Sequence, residues 1–164
     1  MDCKLVAFED AHAEPILRWV QSREELEAWA SRTDFPLDVA VFRGWHADPD
    51  VHPYALLVDG ELAGYGEVWE DREDEAELAR IIVAPGLRGR GIGRRLAGLL
   101  AREAVVGRGF DEVWLRVLPS NAPAIACYRS AGFARATPEE EAAFNQGQPH
   151  AYVWMRLENT PPAS

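Results

Sequence analysis

The chain has 164 residues, with 17 lysines and arginines against 27 aspartates and glutamates, a formal net charge of −10 and 48% hydrophobic residues. Such a length suits one domain with a sizeable core, and the acidic balance disfavours a nucleic-acid surface. Cys3 and Cys127, the two cysteines, offer neither metal-ligand spacing nor a disulfide framework, no apolar run approaches the about 20 residues that span a bilayer, and Met1-Asp-Cys-Lys4 lacks the basic start and long apolar run of a signal peptide, so a reducing, cytoplasmic setting without membrane contact is expected.

In chain order, a strand is expected at about Lys4–Phe8. A helix follows through Ile16-Leu17 and Trp19-Val20, and a second opens at Ser22, where Glu25 three residues on makes a capping box. Asp34 to Val51 reads as irregular. Tyr54–Val58 and Leu62–Trp69 form a hairpin about Asp59-Gly60. Glu75–Val83 pairs next, through the polar turn Asp71-Arg-Glu-Asp74. Its β-branched end, Ile81-Ile82-Val83, stops at Pro85, which cannot continue a sheet ladder. A loop rich in glycine and arginine leads into a helix to about Val106, with Leu96, Leu99 and Leu100 at helical spacing. Val113–Leu118 alternates like a strand, Pro119-Ser120-Asn121 turns, and Ala122 to Ser130 forms a helix stopped at Gly132. A last hairpin joins Phe133–Arg135 to Ala151–Leu157, and Pro161-Pro-Ala-Ser164 reads as a loose tail. The pattern is a mixed α/β sheet with helices on both faces.

The loop Arg88-Gly-Arg-Gly-Ile-Gly-Arg94 concentrates cations in an acidic chain. Gly89, Gly91 and Gly93 have no Cβ, so ligand oxygens can approach main-chain N–H groups at a helix start, where free donors and the dipole favour phosphate. A P-loop needs Gly-Lys-Ser/Thr, and Gly93-Arg94-Arg95 stands here instead. A dinucleotide site needs an acidic residue at the end of the next strand, whereas Asp111 precedes that strand. Surface arginines on an ordinary helix start would not account for three alternating glycines.

Two segments carry a family resemblance. Arg88-Gly-Arg-Gly-Ile-Gly93, with Val83-Ala-Pro85 ahead of it, resembles the coenzyme A signature Arg/Gln-x-x-Gly-x-Gly/Ala of the GNAT superfamily of N-acetyltransferases. Asn121-Ala-Pro-Ala-Ile-Ala-Cys-Tyr-Arg-Ser-Ala-Gly-Phe133 resembles the Asn-x-x-Ala-x-x-x-Tyr-x-x-x-Gly-Phe segment that follows it in that superfamily. The likeness covers roughly Tyr54 to Leu157, and the first third matches in outline. It implies a GNAT-type fold whose central, mostly antiparallel sheet splays at the cofactor. It also implies a single domain over residues 1–160, divided into acceptor-side helices and loop (1–52), a cofactor-binding core (53–136) and a C-terminal loop and strand (137–160).

By the same resemblance, acetyl-CoA is the cosubstrate, no metal takes part, and a small-molecule or peptide amine is the acceptor, with a homodimer left open. The main chains of Ile81, Ile82 and Val83 would hold the pantetheine arm, an N–H near Ile81 would polarise the acetyl carbonyl, and Arg88, Gly89, Arg90, Gly91, Ile92, Gly93 and Arg94 would hold the diphosphate. Asn121 would bind the pantetheine amide, although an asparagine there is equally a helix N-cap. Tyr128 is the candidate acid, since a phenol can hydrogen-bond to the departing thiolate and return a proton. Cys127 has no base beside it in sequence to activate it, so direct attack is expected rather than an acetyl-cysteine.

A base must unmask the amine lone pair, because a primary amine near pKa ~10.4 is almost wholly charged at neutrality. Glu77 matches the glutamate of histone-type GNAT enzymes and shares strand parity with Ile81 and Val83 if side chains alternate throughout. Glu75 and Glu67 are its alternatives. Ribosomal-protein N-terminal acetyltransferases of the superfamily carry a glutamate where this chain has Arg116, which weakens that substrate assignment. Trp19, Trp29, Phe35, Trp45 and His46 fall in the part that forms the acceptor wall in the family. Aromatics beside Glu67 and Glu77 would suit a cationic amine, and core packing explains them equally well. The reading from another class is a coenzyme A-binding sensor that keeps the fold without turnover.

Overall fold

A computed structural model describes residues 1–158; the expected tail at 161–164 lies outside the described residues. Seven strands form one sheet in the order β1-β2-β3-β4-β5-β7-β6. They are β1 Cys3–Ala7, β2 Val51–Val58, β3 Glu61–Arg72, β4 Glu75–Val83, β5 Glu112–Val117, β6 Phe133–Arg135 and β7 Val153–Leu157. Every neighbouring pair is antiparallel except β4 and β5, which run parallel. The helices are α1 Ala13–Arg18, α2 Arg23–Ala30, α3 Val39–Trp45, α4 Ile92–Arg102, α5 Ala122–Ser130 and α6 Pro138–Phe144.

Binary patterning assigns the faces. On one side Leu96, Leu100 and Ala101 of α4 are fully buried against Leu56, Val68, Leu78 and Leu115 of the sheet, and Ile125 and Tyr128 of α5 pack beside them. Each buried leucine contributes roughly 1.5–3 kcal/mol. On the other side Ile16 of α1, Leu26 of α2 and Phe42 of α3 close over Tyr65 and Ile82. The hairpin forms as expected, with Asp59 at φ 49° and Gly60 at φ 84°, the left-handed pair that a two-residue turn matched to strand twist requires.

Three expectations are corrected. The stretch Asp34–Val51 contains α3, which Asp38 caps by accepting from the Ala40 N–H at 2.8 Å. The expected C-terminal loop and strand from 137 onward also holds a helix: α6 starts on a complete capping box between Thr137 and Glu140, with Pro138 in its first turn. At α2 the box is incomplete. Ser22 Oγ accepts from the Glu25 N–H at 3.1 Å, but the Glu25 carboxylate reaches past Ser22 to the Gln21 N–H at 2.6 Å.

The feature that positions the site is a bulge in β4. Tyr65 pairs with Ile82 and Glu67 with Ala79, so β4 fits one more residue than β3 into the same interval. Arg80 absorbs the excess at φ 49°, a left-handed conformation uncommon outside glycine. The extra residue reverses the alternation. Glu77 and Ala79 therefore share a face with Ile82, while Ile81 and Val83 turn to the α4 side. The expected common parity of Glu77, Ile81 and Val83 does not hold, because period two survives only where the ladder is unbroken.

Across from the bulge lies Gly66, where a Cβ would come within 2.5 Å of Leu100 Cδ1 and 3.4 Å of Ile81 Cγ1. Leu100 is fully buried and has nowhere to move. Gly66→Val should accordingly lower stability by about 1–3 kcal/mol through overpacking, seen as a lower urea midpoint at unchanged slope.

Candidate active site

The parallel ladder between β4 and β5 runs from Glu75–Glu112 to Leu78–Leu115 and stops there. Beyond it β5 stays with β7 as far as Val117–Val153 and β4 stays with β3 through Val83. The two strands splay, and the edge of β4 after Leu78 that faces β5 has no strand partner. A cleft of about 310 Å³ fills the gap, with Glu77, Arg80 and Ile81 of β4, Arg116 of β5, Asn121, and Tyr128 of α5 in its walls.

At one end the chain passes from Val83 through a single tight turn, Pro85–Leu87, into α4. Gly89 and Gly91 have φ of 77° and 78°, and a Cβ at either would meet open space. Their glycines answer a backbone requirement. Gly93 answers a different one, since a Cβ there would lie 3.2 Å from Cys127 Sγ on α5. The first N–H to bond back into α4 is that of Arg95, to the Gly91 carbonyl at 3.2 Å. Those of Ile92, Gly93 and Arg94 precede the helical ladder and stand at the positive end of the helix dipole. Arg88, Arg90 and Arg94 are exposed around this turn, and Arg88 is steadied by donating to the Val83 carbonyl at 3.1 Å.

Tyr128 keeps part of its surface on the cleft, and its hydroxyl is hydrogen-bonded to no described residue. Burial pushes its phenol well above the ordinary value, with neighbouring Cys127 adding to the effect. The phenol therefore stays protonated across the neutral range and stands as a free donor. Burial also raises the Cys127 thiol, with Arg94 pulling back weakly, which leaves little thiolate at neutrality. Asn121 caps α5, its Oδ1 accepting from the Ala124 N–H at 3.3 Å, and its amide nitrogen remains for a ligand.

The three glutamates stand apart. Glu77 is buried, at 5% exposure, on the cleft wall. Its Oε2 accepts from Arg116 Nε at 3.1 Å, while Oε1 accepts from no described residue. Burial raises its pKa to about 7 in spite of Arg116, with Asp71 adding and Arg80 opposing. A carboxylate so placed exchanges a proton near neutral pH. Glu67 is fully buried and committed to the protein, accepting from Trp69 Nε1 at 2.7 Å, from Arg80 Nη1 at 2.9 Å and from the Tyr65 hydroxyl. Glu75 lies at the far end of β4, outside the cleft, 3.9 Å from Arg72 Nε.

Of the five expected wall aromatics, Trp29 lines the cleft and donates from Nε1 to the Arg80 carbonyl at 2.7 Å. Trp45 and His46 pack about Phe42, Trp19 packs against the same cluster, and Phe35 is 41% exposed. The sequence reading missed Arg80 and Arg116 as cleft residues, together with Trp69, Gln148 and Tyr152 around them. The arginines had left a signal, since each is a cation set among apolar residues near the end of a largely buried strand. The described residues contain no cluster of three or more histidine, cysteine or acidic side chains suited to a metal, and no helix long and apolar enough to cross a membrane.

Comparison with known proteins agrees with this architecture. Residues 15–133 match the model of the Acetyltransferase (GNAT) family. Streptothricin acetyltransferase of Streptomyces lavendulae is 46% identical over 87 residues, which cover 49% of this chain and 42% of that protein. N-alpha-acetyltransferase RimI of Mycobacterium tuberculosis is 38% identical over 114 residues, covering 68% and 70%. The chain spans about half the length of several curated relatives it matches. Among solved structures, the aminoglycoside acetyltransferase AAC(6')-Ib in complex with coenzyme A and kanamycin superposes with a TM-score of 0.72 at 20% identity, over 95% of this chain and 94% of that one. By the matched model and by its splayed sheet and glycine turn, the chain belongs to the GNAT family of acetyltransferases.

Proposed function

We propose that this protein moves the acetyl group of acetyl-CoA to a primary amine by direct attack within a ternary complex. The observation that carries the reading is the β4–β5 splay, which puts an open main-chain edge, a free phenol and a carboxyl titrating near pH 7 on one cleft. The glycine turn lies at the end of the same strand. Each part supplies something that thioester aminolysis needs.

The open N–H groups of Ile92, Gly93 and Arg94, with the left-handed turns at Gly89 and Gly91 and the charges of Arg88, Arg90 and Arg94, receive the diphosphate. The main chain of Ile81, Ile82 and Val83 pairs with the pantetheine arm along the edge that β5 leaves, and the amide nitrogen of Asn121 reaches the arm from the opposite wall. The Ile81 N–H, presented by the bulge, polarises the acetyl carbonyl as oxyanion character develops. Glu77 takes the ammonium proton, directly or through a water, and the amine nitrogen then bonds to the carbonyl carbon as the carbon–sulfur bond breaks. Tyr128 gives its proton to the departing sulfur, and the second proton that the nitrogen sheds as the amide forms restores the phenol. Cys127, protonated and packed against Gly93, takes no covalent part. Among the glutamates Glu77 is favoured over Glu67, whose carboxylate is already engaged by three donors, and over Glu75, which lies off the cleft.

Gly91→Glu should abolish acetyl-CoA binding in calorimetry, because the side chain strains the left-handed turn and sets a like charge against the diphosphate. Undiminished affinity would remove the glycine turn from cofactor recognition. In the transfer assay, kcat/KM should rise with pH through a limb near 7 as Glu77 ionises. Glu77→Gln should erase that limb and slow the reaction by about 10²–10⁴-fold. Tyr128→Phe should lower kcat by a similar factor while leaving the limb in place, since the ring still packs and only the donor is lost. A limb that persists in Glu77→Gln would transfer the base role to another group. Acetyl-CoA binding without thiol release in the presence of any amine would identify a sensor instead of an enzyme.

A further inference from the structure

Two ion pairs border the acceptor end of the cleft, and both turn the same pole outward. In the pair Arg80–Glu67 the side chains are 19% and 0% exposed; in Arg116–Glu77 they are 25% and 6% exposed. In both pairs the carboxylate is the more deeply buried partner and the arginine the more exposed one, and both arginines line the cleft. The charged residues lining the cleft, among the described residues, are these two arginines and Glu77; with Glu67 behind Arg80 the two pairs balance in charge, and what they offer a ligand is guanidinium donors.

The groups that would receive a substrate cation are already used. Glu67 is held by Tyr65, Trp69 and Arg80. The Arg80 guanidinium lies 3.8 Å from the Trp45 ring centre and 4.9 Å from that of Trp69. Arg116 stands 5.3 Å from both Tyr152 and Trp154 and 5.8 Å from Trp69. Their aromatic faces therefore serve the protein's own cations. The guanidinium donors, by contrast, are largely unspent. Arg116 gives one to Glu77 and one to Gln148 Oε1 at 2.8 Å, and Arg80 gives one to Glu67, out of five on each side chain. Ring contacts and these bonds fix both forks in place, the arrangement that suits bidentate capture of a carboxylate. Neither arginine belongs to the glycine turn, so the cofactor's phosphates do not account for them.

Building on the transferase reading above, we infer that the acceptor is a primary amine carrying a carboxylate, of the amino-acid class, with its amine directed to Glu77 and its carboxylate held by Arg116 and Arg80. Because Arg116 Nε touches Glu77, the amine and the acid group of the acceptor are only a few atoms apart. Polyamines and aminoglycosides lack the anion that these guanidinium donors would hold.

The test measures thiol release from acetyl-CoA by the full chain with amino acids, with their carboxamides, and with a polyamine and an aminoglycoside. The carboxamide amine is the less basic of each pair and so the more available as free base at neutral pH, so a preference for the acid must come from recognition. One charge-assisted contact predicts kcat/KM about 10- to 100-fold higher for the acid. Arg116→Gln should collapse the ratio of acid to carboxamide towards one, whatever it does to the absolute rate through Glu77. Arg116→Lys, which keeps charge without the fork, should restore part of it. Equal or better turnover of carboxamides, the polyamine or the aminoglycoside would overturn the inference and leave the transferase reading standing, as would an acid-to-carboxamide ratio unchanged in Arg116→Gln. Thiol release with none of the acceptors would overturn both.

Discussion

Arg80 occupies a backbone conformation that costs energy for any residue with a Cβ, and the surrounding structure repays it several times over. Its guanidinium is held by the fully buried Glu67 and stacked on Trp45, and its carbonyl is tied to Trp29 from α2. Glu67 in turn depends on Arg80. Burial raises the carboxyl pKa, while Arg80, Tyr65 and Trp69 draw it back. A carboxylate so enclosed without its cation would be an uncompensated buried charge, typically worth 3–5 kcal/mol when one partner is removed. The ion pair and the bulge thus hold each other in place.

From the bulge the geometry of the site follows. By inserting one residue into β4 it turns Glu77 away from the α4 face and onto the wall where Arg116 and Tyr152 stand. It also lies just where β5 leaves β4, so the strand is bent at the start of its unpartnered edge. Chemistry and packing can share the strand because they use different atoms. The side chains of Ile81 and Val83 join the α4 core and Ile82 joins the core under α1–α3, while their main chain is left for a ligand. Burial also lifts the Glu77 carboxyl into the neutral range and raises the Tyr128 phenol, the two groups proposed as base and acid.

Local signals carried much of this and non-local ones did not. The limits of β4 and α5 and the Asp59-Gly60 turn could be read directly, since each depends on nearby punctuation: Pro85, Asn121 and Gly132, and a left-handed pair. The need for glycine at 89 and 91 could be read from the loop, although the reason for Gly93 could not, because it lies in Cys127 on another helix. The helix α6 had a legible start in Thr137-Pro-Glu-Glu140 that the reading passed over. The bulge had none. An arginine in the left-handed region is specified by a carboxylate 13 residues away and by tertiary stacking, so an argument from alternation alone put Glu77 on the wrong face. The partnership of Glu77 with Arg116 spans 39 residues and a parallel strand pair. Its register is fixed only once the helix between the strands has packed.

Under the proposed function the thioester and the amine meet in one cleft with no covalent stop on the protein, because the thiol of Cys127 is half-buried, raised in pKa and packed against Gly93. The most direct measurement is the initial rate of thiol release with acetyl-CoA and one accepted amine varied together. Intersecting double-reciprocal lines, with Cys127 unmodified in mass spectra of the enzyme incubated with acetyl-CoA alone, are the predicted result. Parallel lines together with an acetylated Cys127 would contradict it.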